Sequence, residues 1–358
     1  MKLKIFLALL ISLIMIASIP GLIACSKTTT TTATATQTTT ATTPVKQVLI
    51  RVTTPVPGAD EFVTWAQEGM NKFNARTNGA YKMQLFPSGQ LGPFPESLDA
   101  IRTGAIEAGM IPPAAFAGSI PELGLPELPF LFNNAEANSY AATGLTDVIS
   151  KLLETKANQK SVGCFTVGTL NLLSKKPIKT LEDFKGLIVG VDAPPMAELI
   201  KALGGSGIVV DFTEDYSNLQ KGIYDAKTLG SQYILVAKLY EVSKNYTIFH
   251  GFGTLYSFNI NLDVYNKMPQ DVKNALNEEM GALAQSIGQR FVNKFYDLVP
   301  ELTKLGLQYY YVPEVERDRW KALAYPVTLD IIAKSGDVGA KVKQLADEAN
   351  AKYPYKQQ

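Results

Sequence analysis

The chain has 358 residues, 46% of them hydrophobic, with 34 lysines and arginines against 33 aspartates and glutamates. This near balance, without aromatic and basic residues interleaved, argues against a nucleic-acid partner. One histidine, His250, and two cysteines, Cys25 and Cys164, provide no zinc-ligand spacing, and no metal or other cofactor is expected.

Lys2 and Lys4 precede an apolar run from Ile5 to Ile19, followed by Pro20-Gly21 and Leu22-Ile23-Ala24-Cys25. A basic start, a core of roughly 15 apolar residues and small residues before a cysteine mark a secretory signal over residues 1–24. The core falls short of the ~20 residues that cross a bilayer. The end of this segment resembles a bacterial lipobox, which implies cleavage before Cys25 and lipidation of that cysteine. The expected product is extracytoplasmic and tied to the membrane by its lipid.

Residues 25–44 read as a lipid-anchored linker, with twelve threonines between Thr28 and Thr43 and little apolar surface. Such a stretch cannot offset the entropy of ordering it. As a coil from Ser26 to Pro44 it reaches on the order of 25 Å.

The body from Val45 onward, 314 residues, exceeds the ~250–300 at which one core stops growing, so two lobes are expected. With Cys25 lipidated, Cys164 has no partner for a disulfide. In chain order, Val48 to Val52 reads as a strand and Asp60 to Arg76 as a helix with Phe62, Ala66, Met70 and Phe73 on one face. Tyr81 to Phe86 is a strand after the Asn78-Gly79 turn, Pro93 to Thr103 a helix, and Ala108 to Ile111 a strand. A second series runs through a strand at Leu187–Val191, a helix at Met196–Leu203, a strand at Ile208–Phe212 and a helix opening at Thr213. This rhythm implies a parallel or mixed sheet covered by helices. Tyr256, Phe258, Ile260 and Leu262 alternate with polar residues as in a half-buried strand. After Pro269, Val272, Leu276, Met280, Leu283, Ile287, Phe291, Phe295 and Leu298 form one stripe on a helix of about 30 residues.

Several motifs then carry a resemblance. Leu85-Phe-Pro-Ser-Gly-Gln-Leu-Gly92, Ile101-Arg-Thr-Gly-Ala-Ile106 and Leu125-Pro-Glu-Leu-Pro-Phe-Leu-Phe132 come first. Lys176-Pro-Ile-Lys-Thr-Leu-Glu-Asp-Phe-Lys-Gly186, Met196-Ala-Glu-Leu-Ile-Lys-Ala-Leu-Gly-Gly205 and Glu214-Asp-Tyr-Ser-Asn-Leu-Gln-Lys-Gly222 follow in the same order. Lys238-Leu-Tyr-Glu-Val242 and Asn261-Leu-Asp-Val-Tyr265 complete the series. In this the chain resembles the DctP-type extracytoplasmic solute receptors of TRAP transporters. The resemblance implies an α/β, two-lobed periplasmic-binding-protein-like fold with a long helix spanning both lobes. Lobe one is expected to hold residues 45–168 plus 256–298, and lobe two residues 169–255 plus 299–358. It also implies a receptor that closes on a small molecule and delivers it to the TRAP membrane permease, here expected to be lipid-anchored through Cys25.

The chain departs from the family where a ligand carboxylate is usually held. Gly190 stands where the resemblance places an arginine, Gly168-Thr169-Leu170-Asn171 lacks a second one, and Lys227 and Thr228 follow the Asp225 turn where an asparagine is common. Arginine presents a planar fork that glycine cannot replace. Strand alternation puts Asp192 on the face of Gly190. Either a larger, neutral or partly aromatic ligand fills the vacated space, or Lys227 takes the carboxylate as a point charge; the plainer alternative has Asp192 capping the helix after Pro194 and Lys227 solvated. A simple C4-dicarboxylate is not the expected ligand.

The candidate ligand-binding residues are therefore Gly190, Asp192, Thr169, Asn171, Lys227 and Thr228, with Tyr216, Tyr224 and Tyr233 supplying apolar bodies with polar tips. Phe212 is a further aromatic candidate, and core packing is the plainer role for most of these aromatics. His250 reads as a structural or hinge-edge residue and Cys164, in an apolar stretch, as a buried thiol. An enzyme is not expected: there is no Gly-x-Ser-x-Gly elbow and no His-Glu-x-x-His pair. A lipid-anchored sensor presenting ligand to a signalling receptor requires the same cleft, so the sequence does not separate it from transport.

Overall fold

A computed structural model describes residues 47–210 and 214–356. The proposed signal segment, Cys25, the threonine-rich linker and Phe212 lie outside the described residues.

The first sheet is built from β1 (Val48–Thr53), β2 (Tyr81–Phe86) and β3 (Ala108–Ile111), with α1 (Glu61–Arg76) and α2 (Phe94–Thr103) as crossovers. Its order is β2-β1-β3-β10-β4, where β4 (Gln159–Phe165) follows α3 (Ala135–Lys156) and β10 spans Tyr256–Asn261. β1, β2 and β3 are parallel, whereas β10 runs antiparallel to β3 and β4, so the sheet is mixed. α1 forms where the pattern predicts it. Asp60 is its N-cap and accepts from Phe62 N at 2.9 Å; Glu61 and Arg76 complement the helix dipole; Phe62, Ala66, Met70 and Phe73 are buried.

The second sheet has the order β11-β9-β5-β8-β6-β7. It comprises β5 (Thr169–Ser174), β6 (Ile188–Val191), β7 (Ser206–Val209), β8 (Ala226–Leu229), β9 (Asn245–Gly253) and β11 (Gln308–Tyr311). Its helices are α4 (Pro194–Ala202), α5 (Asp215–Lys221) and α6 (Ser231–Val236). β6 is parallel to β7 and β8, and β5 is antiparallel to β8 and β9. All nine residues of β9 are buried, which removes the alternation that would have marked it.

α7 (Leu262–Asn266) leads into α8 (Gln270–Lys304), and α9 (Glu314–Lys334) and α10 (Gly336–Lys352) close the chain. At 35 residues α8 is about 52 Å long. Its stripe serves two cores: Val272 to Phe291 pack with α1 and the first sheet, and Phe295, Leu298 and Leu302 with Leu173, Tyr246 and Ile248 of the second. The expected helix spanning both lobes is thus present. α10 departs from the expected division, because it packs on α3, with Val342, Ala346 and Ala349 sharing a core with Ala141 and Leu145.

Two short segments join the sheets, residues 166–168 between β4 and β5 and residues 254–255 between β9 and β10. Asn138, fully buried on α3, holds both. Its Nδ2 donates to Thr166 Oγ1 at 2.7 Å, Thr254 O at 2.9 Å and Gly168 O at 3.2 Å, and Thr254 Oγ1 donates to Gly168 O at 2.7 Å.

Candidate functional site

Gly190 on β6 pairs in register with Lys227 on β8. The missing side chain does not leave a void. A Cβ on Gly190 would lie 3.0 Å from the Tyr224 ring and 3.1 Å from Lys227 Cδ, so these two side chains fill the space beside the strand. Lys227 is 1% exposed. Its ammonium donates to Asp192 Oδ1 and to Thr228 O at 3.2 Å, and lies 3.9 Å from Asp215 Oδ2. Tyr224 donates its hydroxyl to Asp215 Oδ1 at 2.5 Å; burial, then this carboxylate, raise the phenol's pKa.

On the side of the first sheet stand Asp60 at the N-cap of α1, Glu127 and Tyr256 on β10. Asp60 Oδ1 accepts from Gln232 Nε2 of α6 at 2.8 Å, a bond between elements packed on different sheets. Burial raises the Asp60 pKa, partly offset by the Phe62 amide. Glu127 keeps a small exposed edge but lies among protein atoms; burial, with a contribution from Asp192, pushes its pKa up to about 7, and the Leu255 amide donates to it at 3.2 Å. The Tyr256 pKa is raised by burial first and then by the charges of Glu127, Asp192 and Asp60.

The other residues predicted from sequence are placed differently. Asn171 is fully buried, and its Oδ1 accepts from Phe249 N at 3.0 Å and His250 N at 2.7 Å, where β5 and β9 shift register. It replaces a missing ladder partner, and His250 takes a φ of +50° there. Thr169 Oγ1 lies 2.7 Å from His250 Nδ1, and Thr228 Oγ1 donates to Gly190 O at 3.5 Å. Thr169, Asn171 and Thr228 are therefore held inside the second sheet. Tyr216 donates to Glu241 Oε2 at 2.8 Å, and both Tyr216 and Tyr233 are half-buried beside the core containing Leu219 and Tyr246.

Two of the plainer readings need correction. Asp192 does not cap the helix after Pro194, since the N-cap is Ala193 without a side-chain capping bond, and Asp192 turns to Lys227 instead. Lys227 is not solvated. His250 is buried and its pKa is lowered to about 3, by burial first and then by Arg317. Cys164 is buried, and burial pushes its thiol up to about 11.

Gln232 and Asn138 carry no local signature in the sequence. Asp60 has one, its N-cap position before an apolar stripe, whereas Glu127 and Asp215 fall inside quoted motifs and Tyr256 in the alternating strand without anything that marks them as site residues.

The model of the bacterial extracellular solute-binding protein, family 7 (DctP), matches residues 61–335. The chain belongs to this family. Across 186 residues it is 31% identical to the 2,3-diketo-L-gulonate-binding periplasmic protein YiaO of Escherichia coli, a match covering 50% of this chain and 56% of that one. Matches to the first three curated relatives reach 54% to 66% of their own length. Among solved structures, a TRAP periplasmic solute-binding protein from Rhodobacter sphaeroides, in an open apo form, superposes with a TM-score of 0.77 at 22% identity over 85% of this chain and all of that one. Another, from Haemophilus influenzae with bound L-gulonate, gives 0.75 at 21% identity over 85% of this chain and all of that one. These two likenesses concern the fold, the two-lobed α/β arrangement of two mixed sheets flanked by helices. Among the described residues no helix is long and apolar enough to cross a membrane.

Proposed function

We propose that this DctP-family protein is the lipid-anchored solute receptor of a TRAP-type transporter. It takes up a small organic molecule between its two lobes and passes it to the membrane permease. The observation that supports this best is a bond between elements packed on different sheets, Gln232 Nε2 of α6 donating to Asp60 Oδ1 at the N-cap of α1, with the Lys227–Asp192 pair on the second sheet. A ligand touching both sides stabilises closure because it gains all its contacts only when the lobes meet. Gly190, Asp192, Tyr224 and Lys227 are the binding-site core in this reading, and Thr169, Asn171, Thr228, Tyr216 and Tyr233 support it from behind. Simple C4-dicarboxylates are poor ligands, since Lys227 is already paired with carboxylates of the chain. The lobe boundaries are residues 45–168 plus 256–298 and 169–255 plus 299–358, with α10 returning to lobe one. Cys25 carries the anchor.

Small-angle scattering and mass spectrometry test the proposal on the full chain. The copurifying small molecule, identified after release, should shrink the radius of gyration when added back and remain chemically unchanged over hours. An altered product would replace the receptor reading with an enzyme. Fatty-acid labelling should be present in the wild type and absent in Cys25→Ala; an unlabelled wild type removes the anchor.

A further inference from the structure

α9 is apolar on both of its faces. Inward, Trp320, Ala324, Thr328 and Ile332 are buried against the fold. Outward, Val315, Ala322, Pro326, Leu329 and Ala333 are all exposed, and they follow one another at steps of seven, four, three and four residues. That is the spacing of a helix-pairing seam, on a face where a surface helix normally carries polar residues. Val315, 79% exposed, stands out further than any other large hydrophobic side chain among the described residues. At the far end of the same seam the surface is concave. A groove of about 610 Å³ opens there between α9 and α10, with Leu329, Ile332, Ala333, Gly336 and Ala340 on its apolar side, and Lys343 and Asp347, paired at 2.6 Å, along its polar edge. Val315 and Ala333 are 18 residues apart on one face of the helix, a distance of about 27 Å.

We propose that a second copy of this chain covers this face, the two α9 helices lying antiparallel about a two-fold axis level with Ala324, so that Val315 of each copy enters the α9–α10 groove of the other beside Ala333. A two-fold interface must be self-complementary, and this face is. The antiparallel overlay sets Val315 opposite Ala333 and Ala322 opposite Pro326, a protruding side chain against a groove and two small residues against each other, which lets the helices approach closely. Charge agrees with shape. Arg319 and Asp330 lie on the same flank of the seam, and the overlay brings Arg319 of each copy beside Asp330 of the other, whereas Asp318 lies on the opposite flank. Arg319 is now paired with Glu316 and Glu182, and Asp330 with Lys334. Both residues are exposed, and exposed pairs contribute little, so the guanidinium can be shared with a second carboxylate.

Sedimentation equilibrium of the full chain tests this and should show a reversible monomer–dimer equilibrium below about 100 µM. Val315→Asp should fold, because the side chain is exposed, and should weaken the dimer at least about tenfold. Crosslinking reads the geometry directly. A chain carrying both Val315→Cys and Ala333→Cys should form a disulfide-linked dimer on oxidation. Val315→Cys alone should form none, because the two copies of position 315 lie at opposite ends of the interface, well beyond disulfide reach. The wild type, in which Cys164 is buried, is the control and should also form none. A chain that stays monomeric to about 100 µM overturns the inference and leaves this face to a partner of another kind. A dimer indifferent to Val315→Asp, a crosslink in Val315→Cys alone, or none in the double variant overturns it equally.

Discussion

Gln232 Nε2 on α6 reaches Asp60 Oδ1 at the N-cap of α1 across 2.8 Å, and the two residues belong to elements packed on different sheets. A hydrogen bond to a charged acceptor contributes about 1.5–3 kcal/mol when it is well made. Gln232→Ala should therefore leave the fold intact, because Gln232 is half-buried and bonds within its own lobe are untouched, while shifting the protein toward an open form. Scattering should show a larger radius of gyration than wild type, and ligand affinity should fall about tenfold. Asp60→Ala is the poorer test, since it also removes a helix cap. An unchanged radius and affinity in Gln232→Ala would show that this bond does not hold the lobes.

Lys227 and Asp215 are each 1% exposed, with Asp192 forming the solvent-facing end of the same ion group. Lys227→Met keeps the aliphatic packing and removes the ammonium beside the buried Asp215 carboxylate, which still accepts from the Tyr224 hydroxyl. Breaking a buried pair on one side costs about 3–5 kcal/mol, so urea unfolding should register a loss of about 3 kcal/mol. Adding Asp215→Asn should recover part of it, because it removes the carboxylate that lies 3.9 Å from the Lys227 ammonium in the wild type. A single variant within about 1 kcal/mol of wild type would place the stabilisation elsewhere.

The strength of each sequence signal follows from its physics. Phe62, Ala66, Met70 and Phe73 repeat at helical spacing because one face of α1 is solvated, and the stripe from Val272 to Leu298 is legible for the same reason. β9 is buried along its whole length and α9 carries almost no apolar stripe, with Val315 79% exposed, so neither period appears there. Within the site, Gly190, Asp192 and Lys227 were legible through departures from a motif. That Lys227 turns inward to Asp192 and Asp215 was not, since residues 192, 215 and 227 meet only through the register of β6 and β8 and the placement of α5. Glu127 and Tyr256 come from distant segments and become neighbours only when the first sheet closes around β10. Asn138 was likewise hidden, because its function lies in three bonds to segments 28 to 116 residues away.

Gly190→Arg should not restore a carboxylate clamp. The Cβ alone would press on the Tyr224 ring at 3.0 Å and on Lys227 Cδ at 3.1 Å, and overpacking of this kind costs about 1–3 kcal/mol. The new guanidinium would also meet Asp192 and Asp215 before any ligand. The variant should unfold at lower urea and remain without measurable succinate affinity, while Gly190→Arg combined with Tyr224→Ala should regain part of the stability lost to crowding. Tight succinate binding by the single variant would mean that Tyr224 and Lys227 move aside easily.

Glu127 and His250 make opposite contributions to the pH dependence of stability. Glu127 has a pKa of about 7 in the fold against an ordinary 4.5, so the native chain keeps a proton that the unfolded chain loses, and stability falls as pH rises from 4.5 to 7. His250 stands at about 3 against an ordinary 6.5, so the unfolded chain binds the extra proton, and stability rises with pH between 3 and 6.5. At about 1.36 kcal/mol per pH unit the Glu127 effect is about 3 kcal/mol and the His250 effect about 5 kcal/mol, each across its own window. Between pH 4.5 and 6.5 the two slopes cancel, and above 6.5 only the Glu127 loss remains. Glu127→Gln keeps the side-chain shape and removes the titration, so its stability should climb steadily to pH 6.5 and then level off, diverging from the flatter wild-type curve. Urea midpoints at half-unit intervals from pH 4 to 8 decide the matter: parallel curves for the two proteins would show that Glu127 titrates at its ordinary value and is not desolvated.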